Sequence, residues 1–365
     1  MAYRATYIDR DPVDYFIERD ERGASRLDVA DVVLRANQDP KEIFARMIRF
    51  ATNSAWSHCA LVLLLSNIKR GYNSAFLIES MTRGVRLADW RKTIVPYKQY
   101  TVGIERLSLD WYAETPYEQA MHSPRDPEDA HGALYLRQVR GIALDQVNSL
   151  YDHDAILELT LLYIQRIAKR HLPMVPLVAW LARLAATYFR HRGASKSLPG
   201  DLEQFICGGL IQYSFFEALR IRILKGLEED EDRDAALHNL KHMDRVIFCG
   251  DPDGVIANYI RQVQLGKIDL ADPVPESVLD LLKAATPADF NNSSNLQWVY
   301  VILRGKIWEI KEASDDYEPQ STDEGEVLDL LKPEHRGRLI ELSTQPMNSG
   351  THTNEGRYDD DQVSC

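Results

Sequence analysis

The chain has 365 residues, 45% of them hydrophobic and 9% aromatic, enough apolar material for a substantial buried core of ordinary globular composition. Its formal charge of −12 is unevenly placed: residues 312–365 hold 14 Asp/Glu and 4 Lys/Arg, so the body of the chain is close to neutral. A near-neutral body without a basic stripe argues against nucleic acid as a partner.

The first residues are polar, with no apolar core, so no signal peptide is expected. The most apolar stretch, Leu172 to Phe189, is broken by Pro173, Pro176 and Arg183 and falls short of a clean membrane span. Cys59, Cys207, Cys249 and Cys365 form no CxxC pair and no metal-ligand rhythm. Free thiols in a reducing, cytoplasmic setting are the expectation, with no metal and no cofactor.

In chain order, residues 1–26 read as a polar, loose or partly helical lead-in. Leu27 to Leu34 reads as a strand, and Asp39-Pro40 opens a helix through about Ala51. His58 begins an apolar run through Leu65 that suits a buried strand. A Ser66–Asn73 connection leads to a second strand, Ala75–Ser80, then Gly84 turns into Val85-Arg86-Leu87, and Asp89-Trp90 opens a short helix. Tyr100–Leu107 is a further strand. Residues 110–131, with Pro116, Pro124 and Pro127, read as a loop or ordered insertion.

Helices are expected at Leu134–Leu150, Ala155–His171 and about Leu177–Tyr188. Their apolar stripes suit a core, and the basic residues among them suggest peripheral membrane or acyl-chain contact through 155–192 as an alternative. A break at Ser197–Asp201 precedes Cys207-Gly208-Gly209 and a helix to about Lys225. The Glu228–Asp234 run is read as a solvated stretch. Residues 235–285 look helical around one apolar segment, Val246–Cys249, and Thr286-Pro287 begins a short helix. Leu296–Leu303 reads as a closing strand. From about Glu312 the acidic composition predicts a disordered tail, a possible partner-binding element.

Cys207, after a Pro-Gly break and at the start of an apolar helix, has the helix N-terminus that lowers a thiol pKa. His58 supplies the second device, an imidazolium neighbour, and then a general acid for the leaving group. Glu79, on the adjoining strand, is the natural acceptor to orient that ring. Pairing of the two strands across the Ser66–Asn73 connection brings His58 and Glu79 together. Gly208 and Gly209 are read as leaving backbone N–H groups, with that of Cys207, open for an oxyanion. Cys59 points to the opposite face from His58 and is read as core, as is Cys249; Cys365 shows no lipidation pattern.

The order Asp31-Val32-Val33-Leu34, Ile48 to His58, Ile78-Glu79-Ser80 with Gly84-Val85, and Phe205-Ile206-Cys207 resembles the permuted papain-like hydrolases. These are the YiiX-like branch of the NlpC superfamily, relatives of the lecithin retinol acyltransferase-like proteins. Tyr151-Asp152 and Thr286-Pro287-Ala288-Asp289 also resemble elements of that family, and the likeness spans about residues 27–303. It implies an α+β, circularly permuted papain-like fold: a small antiparallel sheet packed on the cysteine helix within residues 27–311, with a helical insertion at about 110–200. It also implies Cys207 as nucleophile, His58 as base and Glu79 as the orienting residue of a thiol-dependent hydrolase. Cleavage of a peptide or isopeptide-like amide leads, with lipid acyl transfer or deacylation and a catalytically silent scaffold as alternatives. Family members commonly carry Ser and Glu after the cysteine, where this chain has Gly208-Gly209.

Overall fold

A computed structural model describes residues 2–18, 26–37, 45, 48–49, 52, 54–64, 75–81, 84–94, 100–108, 134–147, 149–151, 204–228, 233–251 and 253–332. It is a mixed α and β structure organised on one eight-stranded antiparallel sheet. The strands are β1 (Ala2–Ile8), β2 (Val32–Asn37), β3 (His58–Leu64), β4 (Ala75–Met81), β5 (Gly84–Asp89), β6 (Tyr100–Leu107), β9 (Leu296–Leu303) and β10 (Lys306–Ala313). They lie in the order β1-β10-β9-β6-β2-β3-β4-β5. A separate parallel pair, β7 (Leu150–Tyr151) with β8 (Gln204–Phe205), sits just ahead of the cysteine helix.

The strands β3, β4, β6 and β9 fall where apolar runs and alternation predict them. Because successive side chains point to opposite faces, the sheet carries two cores. On one face Leu34, Leu61, Ile78 and Trp298 pack with Leu210, Ile211 and Phe215 of helix α4 (Cys207–Glu228). On the other, Val33, Ala60, Leu77 and Ile302 pack with Phe16 of helix α1 (Pro12–Ile17) and Trp90 of helix α2 (Trp90–Ile94). Helix α3 (Leu134–Asp145) adjoins α4, and the Tyr135 hydroxyl donates to the Phe215 carbonyl. Helices α5 (Arg233–Lys241), α6 (Val255–Gln264), α7 (Glu276–Lys283) and α8 (Pro287–Asn291) complete that layer. Buried Gln212 fastens the 246–249 segment to α4: its amide donates to the Val246 carbonyl, and its oxygen accepts from the Phe248 N–H, both at 2.7 Å.

Several expectations are corrected. The sheet is large, because both chain regions read as peripheral belong to it. Within the lead-in read as loose or partly helical, residues 2–18 carry a strand and a helix: β1 pairs along its length with β10, and α1 buries Tyr15 and Phe16. Asp11 caps α1, accepting from Val13 N–H at 2.8 Å, with Pro12 in its first turn. The acidic region is not a tail from 312. Chain order continues through β10 into helix α9 (Thr322–Leu331), where Val327 and Leu331 are buried. Glu324 of α9 accepts the Ala5 N–H of β1 and the Tyr317 hydroxyl. Leu296–Leu303 is therefore an interior strand between β6 and β10.

Strand β2 starts at Val32 rather than Leu27. Ala30 adopts φ 67° in a turn that Arg106 holds through Asp28 and Asp31. The helix from Leu134 ends at Asp145, and Leu150 lies in β7. Most of the Pro40–Ala51 helix, the Ser66–Asn73 connection, residues 110–131, the 155–192 helices and residues 333–365 lie outside the described residues.

Candidate active site

His58 is the first residue of β3 and Cys207 the first of α4; Glu79 lies inside β4. The approach to His58 is fixed by Ser57, whose backbone N–H and hydroxyl both donate to the Arg35 carbonyl, at 2.9 and 3.1 Å. The approach to Cys207 is tied to the acid strand, because the Ser80 hydroxyl donates to the Phe205 carbonyl at 2.8 Å. The backbone thus sets the three side chains in one place.

His58 Nε2 stands 2.8 Å from Glu79 Oε2. Glu79 is 1% exposed and is also gripped by two guanidinium groups. Arg35 Nη2 donates to Oε2 at 2.7 Å, and Arg86 donates to Oε1 from Nε and Nη2 at 3.1 and 2.8 Å. Burial pushes the carboxyl pKa up, but hydrogen bonding and charge from His58, with Arg35 and Arg86, outweigh it and hold Glu79 well below the usual carboxylate range. A carboxylate only accepts, so the proton between the two lies on His58 Nε2. The Nδ1 nitrogen remains for the thiol.

The Cys207 thiol is drawn well below the ordinary cysteine range. The largest cause is hydrogen bonding from the Cys59 thiol; burial opposes it, and His58 adds a hydrogen bond and its charge, with a smaller contribution from the Cys59 backbone N–H. For His58, burial and the Arg35 charge press the pKa down, while hydrogen bonds to Cys207 and Glu79 and the thiolate charge outweigh them and raise it. A depressed thiol and a raised imidazole both favour the proton on His58 over the proton on Cys207. Cys207 is 2% exposed, whereas the His58 side chain keeps 15%.

Three participants were not recognised in the sequence. Arg35 and Arg86 were legible only as charges on strands; their roles follow from register, which sets Arg35 opposite His58 and Glu79 opposite Arg86. Cys59 is buried core as expected, but the face it shares with Leu34 and Leu61 is the one α4 covers, which brings it to Cys207. Cys249 lies apart, its thiol pushed up to about 12 by burial.

Gly208 and Gly209 also have a packing task that the sequence reading does not include. A Cβ on Gly208 would lie 2.1 Å from the Ala285 carbonyl oxygen, and one on Gly209 1.8 Å from that of Lys283. The bare Cα atoms let the α7–α8 turn close on the first turn of α4. That turn is itself fixed by Asp289 Oδ2, which accepts from the Thr286 N–H and hydroxyl, each at 2.7 Å.

Among the described residues no group of His, Cys, Asp and Glu could hold a metal ion, and no helix is long and apolar enough to cross a membrane. No protein-family model matches the chain, and no curated protein matches it.

Proposed function

We propose that this chain is a thiol-dependent hydrolase that cleaves an amide bond through an acyl-enzyme, on a permuted papain-like arrangement. The observation that carries the reading is the convergence of Cys207, His58 and Glu79 from a helix start and two adjacent strands, with His58 bonded to a carboxylate and Cys207 depressed. The Cys207 thiolate attacks the carbonyl carbon, and the oxyanion is met by backbone N–H groups of Cys207 and Gly208 in the first turn of α4, which lack intrahelical acceptors. The His58 imidazolium protonates the departing amine, and the carbonyl re-forms as a thioester. Neutral His58 then deprotonates water, which releases the acid and regenerates the thiolate. Glu79 keeps the ring oriented and stabilises its charged form. Arg35 and Arg86 keep Glu79 ionised and in place. The acyl-lipid alternative draws on residues 155–192, outside the described residues, and no observation here favours it.

The experiment is a burst assay with p-nitrophenyl acetate, followed by mass spectrometry of the quenched protein and its peptides. A nitrophenolate burst matched by an acetyl group on Cys207, and lost in His58→Ala, is expected. No adduct on Cys207, or an equal burst in His58→Ala, overturns the reading.

A further inference from the structure

The hydrolase reading uses Cys207 and leaves Cys59 unexplained, although it is fully buried in the same core as Cys207, beside His58 in the chain. Alternation along β3 puts Cys59 on the α4 face with Leu61, and its cross-strand partner Leu34 shares that core. Ser80, which shares the α4-facing side of neighbouring β4 with Ile78, donates its hydroxyl to the Phe205 carbonyl and so holds the start of α4, with Cys207, against the Cys59 end of β3. A core position opposite a nucleophile needs only a small apolar side chain, and a second thiol there has a chemistry of its own. We propose that Cys59 and Cys207 form a reversible disulfide in response to hydroperoxides, with Cys207 the oxidised sulfur and Cys59 the resolving one. The proposal rests on the reading of Cys207 as a thiolate.

The step balances with a hydroperoxide as oxidant. The Cys207 thiolate attacks the terminal oxygen, the O–O bond breaks, and sulfur gives up two electrons to become a sulfenic acid. The alkoxide or hydroxide released takes the proton of the His58 imidazolium. The Cys59 sulfur then attacks the Cys207 sulfur; the S–O bond breaks, and the hydroxyl leaves as water with the Cys59 proton. Two thiols and one hydroperoxide give one disulfide, one alcohol or water from the peroxide, and one further water.

In the resting state, burial first and then the neighbouring Cys207 hold the Cys59 thiol protonated. Oxidation removes the thiolate charge and leaves His58 neutral as a base in the same cluster, so resolution is favoured only after Cys207 has reacted. Cys249 does not compete, because burial keeps its thiol protonated and it lies in the 246–249 segment held by Gln212. The disulfide would block the nucleophile and keep it from the irreversible sulfinic and sulfonic stages.

The test treats the full chain with hydrogen peroxide, blocks free thiols with iodoacetamide, and maps peptides without reduction. A Cys59–Cys207 cross-linked peptide is expected, with full return of alkylatable Cys207 after dithiothreitol. In Cys59→Ser, and in Cys59→Ala should the first variant melt early, that recovery is lost and Cys207 is found as sulfinic or sulfonic acid. Wild-type Cys207 overoxidised beside reduced Cys59, or paired with Cys249 or Cys365, overturns the proposal. The alkylation rate of the untreated wild type separates the two readings. Rapid alkylation of Cys207 without the cross-link defeats the disulfide alone, whereas slow alkylation without it defeats the thiolate as well.

Discussion

Replacing Gly208 by alanine sets two effects of opposite sign against each other. Gly208 lies in the first turn of α4, and alanine in a helix is favoured over glycine by about 0.8–1 kcal/mol. The added methyl would meet the Ala285 carbonyl oxygen at 2.1 Å, more than an ångström inside an ordinary carbon–oxygen contact. That carbonyl is backbone, in a turn fixed by the Asp289 bonds to Thr286, so it has no rotamer to yield. Overpacking of this kind costs about 1–3 kcal/mol and sometimes more, and the severity of the overlap puts Gly208→Ala at the upper end. The net expectation is a loss of about 2 kcal/mol. Gly141, in α3, is the control, because a Cβ there meets nothing within 4 Å. Gly141→Ala is expected to gain about 0.5–1 kcal/mol. Urea unfolding of both variants against wild type reads the two signs directly. A stabilised Gly208→Ala would refute the close approach of the α7–α8 turn to the cysteine helix.

Three further outcomes follow from named side chains. Glu105 is buried, its Oε2 has no hydrogen-bond partner, and burial pushes its pKa from 4.5 up to about 8. The folded chain then holds a proton that the unfolded chain releases, so stability falls as pH rises from about 4.5 to about 8, by about 3 kcal/mol at pH 7. Glu105→Gln should remove that slope, and a melting-temperature difference from wild type that does not grow between pH 5 and 8 would count against it. Ending the chain after Ala313 removes buried Val327 and Leu331 and the Glu324 bond to Ala5. At about 1.5–3 kcal/mol per buried aliphatic side chain, a loss of several kcal/mol is expected in denaturant unfolding, and unchanged stability would return this region to a dispensable tail. Glu79→Gln leaves Arg35 without its buried carboxylate, at a cost of about 3–5 kcal/mol. It should also shift the pH onset of Cys207 alkylation upward, since His58 loses a partner that raises its pKa; an unmoved onset would exclude Glu79 as the orienting residue.

The order of the site residues was legible in the chain because each begins or sits in a strongly apolar element: the β3 run, the β4 run and the α4 helix. Strands with mixed faces were not. β10 reads Lys306-Ile307-Trp308-Glu309-Ile310-Lys311-Glu312, whose charges join the acidic composition that follows and hide the buried Ile307 and Ile310. β1 is no more apolar, and its partner in the sheet is some three hundred residues away, with Ala5 opposite Ile310. Local composition holds no trace of such a pairing. The two arginines on Glu79 were hidden for a related reason, since a charged residue on a strand acquires its meaning from the residue opposite. For Cys59, alternation gave the correct face, but which helix covers that face is a tertiary fact. Gly208-Gly209 shows the reverse case: the motif was visible, and its cause, a carbonyl from residue 285, was not.

The central claim is a thiolate–imidazolium pair between Cys207 and His58. It is tested most directly by the rate of iodoacetamide labelling of Cys207 across pH, site-resolved by mass spectrometry, in wild type and His58→Ala. Labelling of Cys207 that persists well below the free-thiol pKa of about 8.5, and that moves up to that range in His58→Ala, is the expected result. Wild-type labelling of Cys207 no faster than that of Cys365, or a profile identical in the two proteins, would contradict the account.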